Sequence, residues 1–354
     1  MPTVDSRLEQ LLDAQATRPA VPAEQLTAAA VRADDLAVLA LQSMPAPLYA
    51  IETVTLAGTN GLDARVYRPR AQPSPVLVYF HGGGFVIGAA GYDRPLRDLA
   101  RTTGCLIVAP NVRLAPEHPF PAAVEDALTV MHGIAAADVQ LAGGVGPVGI
   151  AGDSSGGNLA AVATRELSRE GRAPGFPVLL YPMLDATASS PSYLDFATGY
   201  GFTRDKSLWY FSQYLPAGID RGNPRVSPLF EPDLSGLPPT LVITAECDPL
   251  RDEGERYADA IRAAGGDATS RRYRGMIHGF FQMTGLVAAA HEAQTDIANW
   301  IWSLDGHQAT APGADPGRDP RPAPRAGRIS PGGAAPGVLR TIAVPRSRGT
   351  GALV

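Results

Sequence analysis

Along residues 5–42 apolar positions recur at three- and four-residue spacing: Leu8, Leu11 and Leu12, then Leu36, Leu39 and Ala40, with polar residues between. That period lays one apolar stripe along a helix, so the segment is expected to be helical. From Ile51 the period shortens. "IETVTL" (51–56) alternates, Asn60-Gly61 signals a turn, and "ARVYR" (64–68) follows, which predicts a pair of strands. Next come runs too apolar to alternate: "VLVYF" (76–80), "CLIVAP" (105–110), "VGIAG" (148–152), "VLLYP" (178–182) and "LVITA" (241–245). Such runs suit strands covered on both faces of a mainly parallel sheet. "TSRRY" (269–273) is polar and reads as an edge strand. Helical stretches fall between the runs, at 92–103, 121–137, 155–170, 252–264 and 286–304. Strands alternating with helices predict a doubly wound α/β architecture.

One interval breaks the alternation. Residues 183–240 separate two strands that a single helix could join, and they contain "TRDKSLWYFSQYL" (203–215). Thr203 is a candidate N-cap there, with Leu208, Phe211 and Leu215 on one helical face. This insertion is expected to leave the sheet and pack with the N-terminal helical segment. From Gly306 the sequence is rich in Pro, Gly, Ala and Arg without a hydrophobic period, which predicts a disordered tail. The expected organisation is an N-terminal helical part of a cap (1–45), a first part of an α/β core (46–184), a cap insertion (185–225), a second part of the core (226–305) and the tail (306–354).

Composition narrows the function classes. With 45% hydrophobic and 18% charged residues, the chain can bury a sizeable core. A formal net charge of −5 leaves no basic surplus to neutralise phosphates, which argues against a nucleic-acid partner. Cys105 and Cys247 are the only cysteines, and no Cys or His spacing suits a metal, so a reducing compartment and no metal cofactor are expected. The N-terminus has no basic region leading into an apolar stretch, which predicts no signal peptide and a cytoplasmic protein. No run approaches the ~18 consecutive apolar residues of a membrane span.

The candidate chemistry lies where strands end. Gly152-Asp153-Ser154-Ser155-Gly156 follows a strand and opens a helix, the context of a nucleophile elbow. A sharp strand-to-helix turn holds the central serine in a strained conformation, and side chains two positions either side would collide with backbone. Centred on Ser154, the flanks are Gly152 and Gly156. Centred on Ser155, one flank would be Asp153. Ser154 is therefore the nucleophile candidate, and Ser155 offers its backbone N–H to an oxyanion. "YFHGGGFVIG" (79–88) also follows a strand, and its three glycines expose N–H groups without Cβ obstruction.

A serine nucleophile needs a base, and the base an orienting acid. Of the six histidines, His278 and His291 follow Ser154 within the sheet region. His291 falls inside the last helical stretch, whereas His278, in "GMIHGF", comes directly after the last strand. In "TAECDPLRDEG" (244–254) Asp248 is the first aspartate after its strand; Asp252 and Glu253 fit the first turn of a helix, where acids are common for dipole reasons.

These stretches resemble the hormone-sensitive lipase family of α/β-hydrolases, the bacterial family IV carboxylesterases. The matching segments are "HGGGF" (81–85), "RLAPEHPFPAA" (113–123), "GDSSGGNLA" (152–160), "DPLRDEG" (248–254) and "HGF" (278–280), in family order across nearly all of residues 1–305. Ser155 stands where the family commonly has Ala, and Asn111-Val112 where it has Asp-Tyr. The resemblance implies an α/β-hydrolase fold, with a mostly parallel eight-stranded sheet and a helical cap. It implies Ser154, Asp248 and His278 as catalytic triad, the N–H groups of Gly83, Gly84 and Ser155 as oxyanion hole, and His81 and Gly82 as structural support of the oxyanion loop. His118 and Glu117 would be structural.

The reaction expected is hydrolysis of short- to medium-chain esters through a covalent acyl-enzyme, with a small-molecule ester as substrate and no cofactor. Phe85, Phe202, Trp209, Phe280 and Met283 are candidates for an apolar substrate pocket. An amidase or other acyl hydrolase would use the same triad; a non-catalytic small-molecule receptor on this fold is the alternative from a different class. Strand 269–273 is a candidate surface for a homodimer.

Overall fold

A computed structural model of the chain describes residues 2–17, 21–56, 58–59, 61–71, 74–136 and 146–304. Asn60 of the expected turn and the tail 306–354 lie outside the described residues. Eight strands form one sheet: β1 (Ala50–Thr55), β2 (Asp63–Arg68), β3 (Val76–Phe80), β4 (Leu106–Pro110), β5 (Gly149–Asp153), β6 (Pro177–Leu180), β7 (Thr240–Cys247) and β8 (Ala268–Ile277). Their spatial order is β1-β2-β4-β3-β5-β6-β7-β8. β2 runs antiparallel to both β1 and β4, and every other pairing is parallel. The polar strand at 269–273 lies within β8, at the sheet edge as expected.

Successive side chains on a strand point to opposite faces, and here both faces are buried. Val76, Val78 and Phe80 of β3 join Val108, Ile150, Leu179 and Val242 in one apolar layer. α4 (Ala122–Ala136), α5 (Ser155–Arg169) and α8 (Arg251–Ala263) cover that layer through residues such as Val130, Leu159 and Ile261. Leu77 and Tyr79 face the other way with Ile107, Ala151, Leu180 and Ile243, under α3 (Asp93–Thr103) and α9 (Ala288–Leu304). Burial on both sides explains why these strands lack alternation. Each fully buried Val, Leu or Ile stabilises the fold by roughly 1.5–3 kcal/mol.

The N-terminal segment departs from expectation. α1 (Ser6–Ala16) is followed by a 3₁₀ turn at Ala23–Gln25, then α2 (Ala28–Asp35), then a second 3₁₀ stretch at Leu36–Leu41. Pro22 has no N–H to donate and cannot continue a helix, so the chain restarts, with the Thr27 hydroxyl accepting the Ala30 N–H at 3.2 Å. The apolar positions of 5–42 thus sit on separate elements: Leu8 is fully buried and Leu36 is 50% exposed.

Between β6 and β7 the chain forms α6 (Ser192–Asp195) and α7 (Arg204–Tyr214). Thr203 does cap α7, accepting the Lys206 N–H at 3.1 Å. Ser207, Phe211 and Tyr214 form the buried face, Trp209 is buried on the opposite side of the helix, and Leu208 and Leu215 are only partly buried. Tyr214 displaces the leucines because its ring stacks on Phe85, with centroids 3.7 Å apart. Trp209 and Leu208 share a surface hollow with Pro22, Ala23 and Glu24, so the insertion meets the N-terminal segment. Both stems are tied to the core. Asn158 of α5 donates from Nδ2 to the Met183 and Val226 carbonyls, each at 2.8 Å, and buried Glu253 of α8 accepts the Leu184 N–H at 2.6 Å.

Candidate active site

Parallel strands deliver their carboxyl ends to one edge of the sheet, and β3, β5, β7 and β8 end there together. The residues that follow them carry His81–Gly84, Ser154, Asp248 and His278. Ser154 joins β5 to α5 with φ 53° and ψ −120°, a sparsely populated conformation that costs on the order of 1–3 kcal/mol. Crowding enforces it. A Cβ on Gly156 would lie 2.0 Å from the Phe80 carbonyl oxygen, and one on Gly152 would lie 2.3 Å from that of Gly156. The glycines flank Ser154, not Ser155.

Ser154 Oγ lies 3.0 Å from His278 Nε2, and His278 Nδ1 lies 2.8 Å from Asp248 Oδ2. A carboxylate only accepts, so Nδ1 carries the proton and Nε2 is free to accept from the serine hydroxyl. Asp248 is fully buried, and its Oδ1 takes the Leu250 N–H at 2.9 Å. Asp252 and Glu253 lie in the first turn of α8, and the His278 Nδ1 partner is Asp248. Asp252 accepts the Ser192 N–H at 2.9 Å. Burial holds the Glu253 carboxyl well above the usual carboxylate range.

The glycine loop turns back on itself: Gly83 accepts the N–H groups of Val86 (3.0 Å) and Ile87 (2.9 Å). Gly83, Gly84 and Phe85 all have positive φ, at 111°, 61° and 64°. Among the described residues the N–H groups of Gly83 and Gly84 have no acceptor. Ser155, the first residue of α5, likewise has no intrahelical acceptor for its N–H. Nearly buried His81 donates from Nδ1 to the Gly82 carbonyl at 2.7 Å, and burial holds its imidazole below its ordinary pKa, hence neutral near pH 7. The Gly82 N–H goes to Asp153 Oδ1 at 2.9 Å, so the residue before Ser154 anchors the loop.

The five pocket candidates do not converge. The Phe202 ring lies parallel to that of His278, centroids 4.4 Å apart. Phe85 is buried against Tyr214 and Phe211. Phe280 is fully buried between Tyr181 and Tyr273. Met283 and Trp209 are nearly buried, in opposite layers of the core. The aromatic residue that does meet the glycine loop is Tyr210: a Cβ on Gly84 would fall 2.2 Å from its ring. Tyr210 stacks on Phe202 at 6.4 Å, completing a wall from Gly84 to His278. Its position beside Trp209 in an amphipathic helix gave no signal in the sequence. Elsewhere, His118 is exposed and Glu117 pairs with Arg32 at 2.6 Å. His291 is also exposed, its Nε2 on the Thr284 carbonyl at 2.9 Å. Among the described residues no three His, Cys, Asp or Glu side chains converge as a metal site, and no helix is long and apolar enough to cross a membrane.

Comparison with known proteins bears on the fold and the family. A family profile described as "alpha/beta hydrolase fold" matches residues 77–282. The carboxylic ester hydrolase LipN of Mycobacterium tuberculosis is 40% identical over 264 residues, covering 70% of either chain. The ethyl acetate hydrolase of Pseudomonas putida is 34% identical over 247 residues, 68% of this chain and 78% of that protein. Among solved structures, the hyperthermophilic esterase of the archaeon Pyrobaculum calidifontis superposes with a TM-score of 0.80 at 38% identity, spanning 87% of this chain and 100% of the other. An ester hydrolase from the metagenome of Lake Arreo, solved with a bipyridine phosphonate derivative, gives 0.81 at 34% identity over 86% of this chain and 100% of its own.

Proposed function

Because this chain belongs to the α/β-hydrolase family, among its hormone-sensitive-lipase-type ester hydrolases, we propose that it hydrolyses short- to medium-chain carboxylic esters through Ser154, His278 and Asp248. The observation that carries the reading is the unbroken hydrogen-bond path from Ser154 Oγ through His278 to Asp248. His278 Nε2 takes the serine proton as Oγ attacks the ester carbonyl. The N–H groups of Gly83, Gly84 and Ser155 receive the oxyanion. His278 then gives the proton to the departing alkoxide, leaving an acyl-serine. Water, deprotonated by the same nitrogen, attacks that acyl group; the proton returns to Ser154 and the carboxylic acid leaves. Asp248 keeps Nδ1 protonated and stabilises the imidazolium.

The aromatic wall of Phe202 and Tyr210 supports the limit on chain length, since it roofs the gap between base and oxyanion loop. A receptor would have no use for a base held in this tautomer. Turnover of p-nitrophenyl butyrate, with labelling by an organophosphate, tests the reading, and a matched anilide separates esterase from amidase. Ser154→Ala is expected to lower kcat by ~10⁶ and to block the label, whereas Ser155→Ala, which keeps its backbone N–H, stays within about twofold. The reverse pattern would assign attack to Ser155.

A further inference from the structure

Asp153, the last residue of β5, has a buried carboxylate beside the nucleophile, and three donors converge on it. Oδ1 accepts the Gly82 N–H at 2.9 Å and the Tyr79 hydroxyl at 3.0 Å; Oδ2 accepts the Tyr92 hydroxyl at 2.8 Å. Tyr92 closes the 3₁₀ turn Ala89–Tyr92 ahead of α3, and its hydroxyl oxygen accepts Gln282 Nε2 at 2.7 Å. Gln282 in turn ends the short 3₁₀ turn Phe280–Gln282 that begins directly after His278-Gly279. One hydrogen-bond path therefore runs from the loop carrying the base to the loop carrying the oxyanion donors. It passes through neither Ser154 nor the substrate site.

We propose that Tyr92 and Gln282 are positioning residues, setting the height of the oxyanion loop through Asp153. The inference rests on the catalytic reading above. Space argues for it first: a Cβ on Gly82 would lie 2.6 Å from Asp153 Oδ2 and 2.8 Å from the Tyr92 hydroxyl. Gly82 is thus seated directly on the pair, and a small movement of either moves the peptide that leads to Gly83. Electrostatics argues for it second. A bare carboxylate next to a developing oxyanion would oppose catalysis, and each donated hydrogen bond draws its charge away from the site. Burial beside Asp153 keeps the Tyr92 hydroxyl protonated, so it retains a proton to donate. Gln282, donating to Tyr92, polarises that hydroxyl and fixes its direction.

The test is steady-state kinetics on p-nitrophenyl butyrate with Tyr92→Phe, Gln282→Leu and the double variant. Outright loss of an oxyanion donor costs ~10²–10³; a loosened loop that keeps its donors is expected to lose about tenfold in kcat for Tyr92→Phe, with KM within about twofold. Gln282→Leu is expected to lose about threefold in kcat alone, and the double variant should match Tyr92→Phe, because Gln282 acts only through the tyrosine. Unchanged kcat in both single variants, a KM that rises in step with the loss, or losses that multiply in the double variant would overturn the proposal. Gln282 is only partly buried, so its variant decides the matter if Tyr92→Phe does not fold. Ser154→Ala separates the two levels: an active Ser154→Ala enzyme removes the catalytic reading. An inactive one alongside silent Tyr92→Phe and Gln282→Leu removes the positioning role alone.

Discussion

The turn from β5 to α5 around Ser154 and the insertion between β6 and β7 use glycine in opposite ways. At the elbow, Gly152, Gly156 and Gly157 are packed so closely that an added Cβ would meet another atom within 2.0–2.8 Å. In the insertion, Gly199 and Gly218 have positive φ with nothing within 4 Å. The elbow is buried throughout; the N-terminal segment and the insertion leave Leu36 and Leu194 exposed at 50% and 75%. Main-chain contacts at the sheet edge therefore fix where Ser154 stands. A few side chains of α7 and the preceding loop, chiefly Tyr210 and Phe202, shape what lies above it.

Substitutions can break that division. After Ser154→Ala, Asp248→Asn should cause the next largest loss, ~10⁴ in kcat with the fold intact, because an amide can hold the wrong imidazole tautomer; steady-state turnover of p-nitrophenyl butyrate would measure it. Gly156→Ala should cost about 3 kcal/mol or more in stability, since its methyl group must displace the Phe80 backbone on β3; urea unfolding reads the shift. If Gly156→Ala unfolded like the parent, the elbow would be no more constrained than the insertion.

In the insertion, Tyr210→Ala should leave kcat on acetate esters within about threefold and raise kcat/KM for longer acyl chains. Each added methylene accommodated is worth roughly 1–3 kcal/mol. A series of p-nitrophenyl esters would show an unchanged profile if the wall plays no part.

The smallest expected effect concerns Asp35, whose carboxyl is pushed up from 3.8 to about 6, first by burial and then by the Asp153 charge. The folded state holds this proton more tightly than the unfolded chain, so stability falls as pH rises through that window. Asp35→Asn carries no such loss. Its melting temperature should climb relative to the parent between pH 4 and pH 8, by differential scanning calorimetry; a constant gap would mean that Asp35 is not desolvated.

Much of the sheet was legible because burial on both faces leaves a run such as "VLVYF" with no alternation to hide. The elbow was legible because its glycine requirement is local: Gly152 and Gly156 constrain backbone within a few residues of Ser154. Asp248 and His278 could be singled out because each directly follows its strand. The N-terminal helix was misjudged because periodicity does not see that Pro22 separates two stripes. The place of Tyr210 was hidden for a similar reason. Neighbours on a helix differ by about 100° in direction, and a weakly amphipathic segment gives no sign of which one turns toward the site.

The sequence by itself determined the order of strands and helices along the chain, the conformation of the elbow and the residue types at the strand ends, since these depend on neighbours a few positions away. Tertiary structure alone decided how those ends meet. Strand order sets β3 beside β5, which brings Gly82 to Asp153 across 71 positions, and the ends of β5 and β8 bring Ser154 to His278 across 124. It also decided that Phe202 and Tyr210 stand over the base and the glycine loop, and that Tyr92 and Gln282 meet across 190 positions. No local pattern encodes such pairs, because their closeness is created by the packing of the whole sheet and its covering helices.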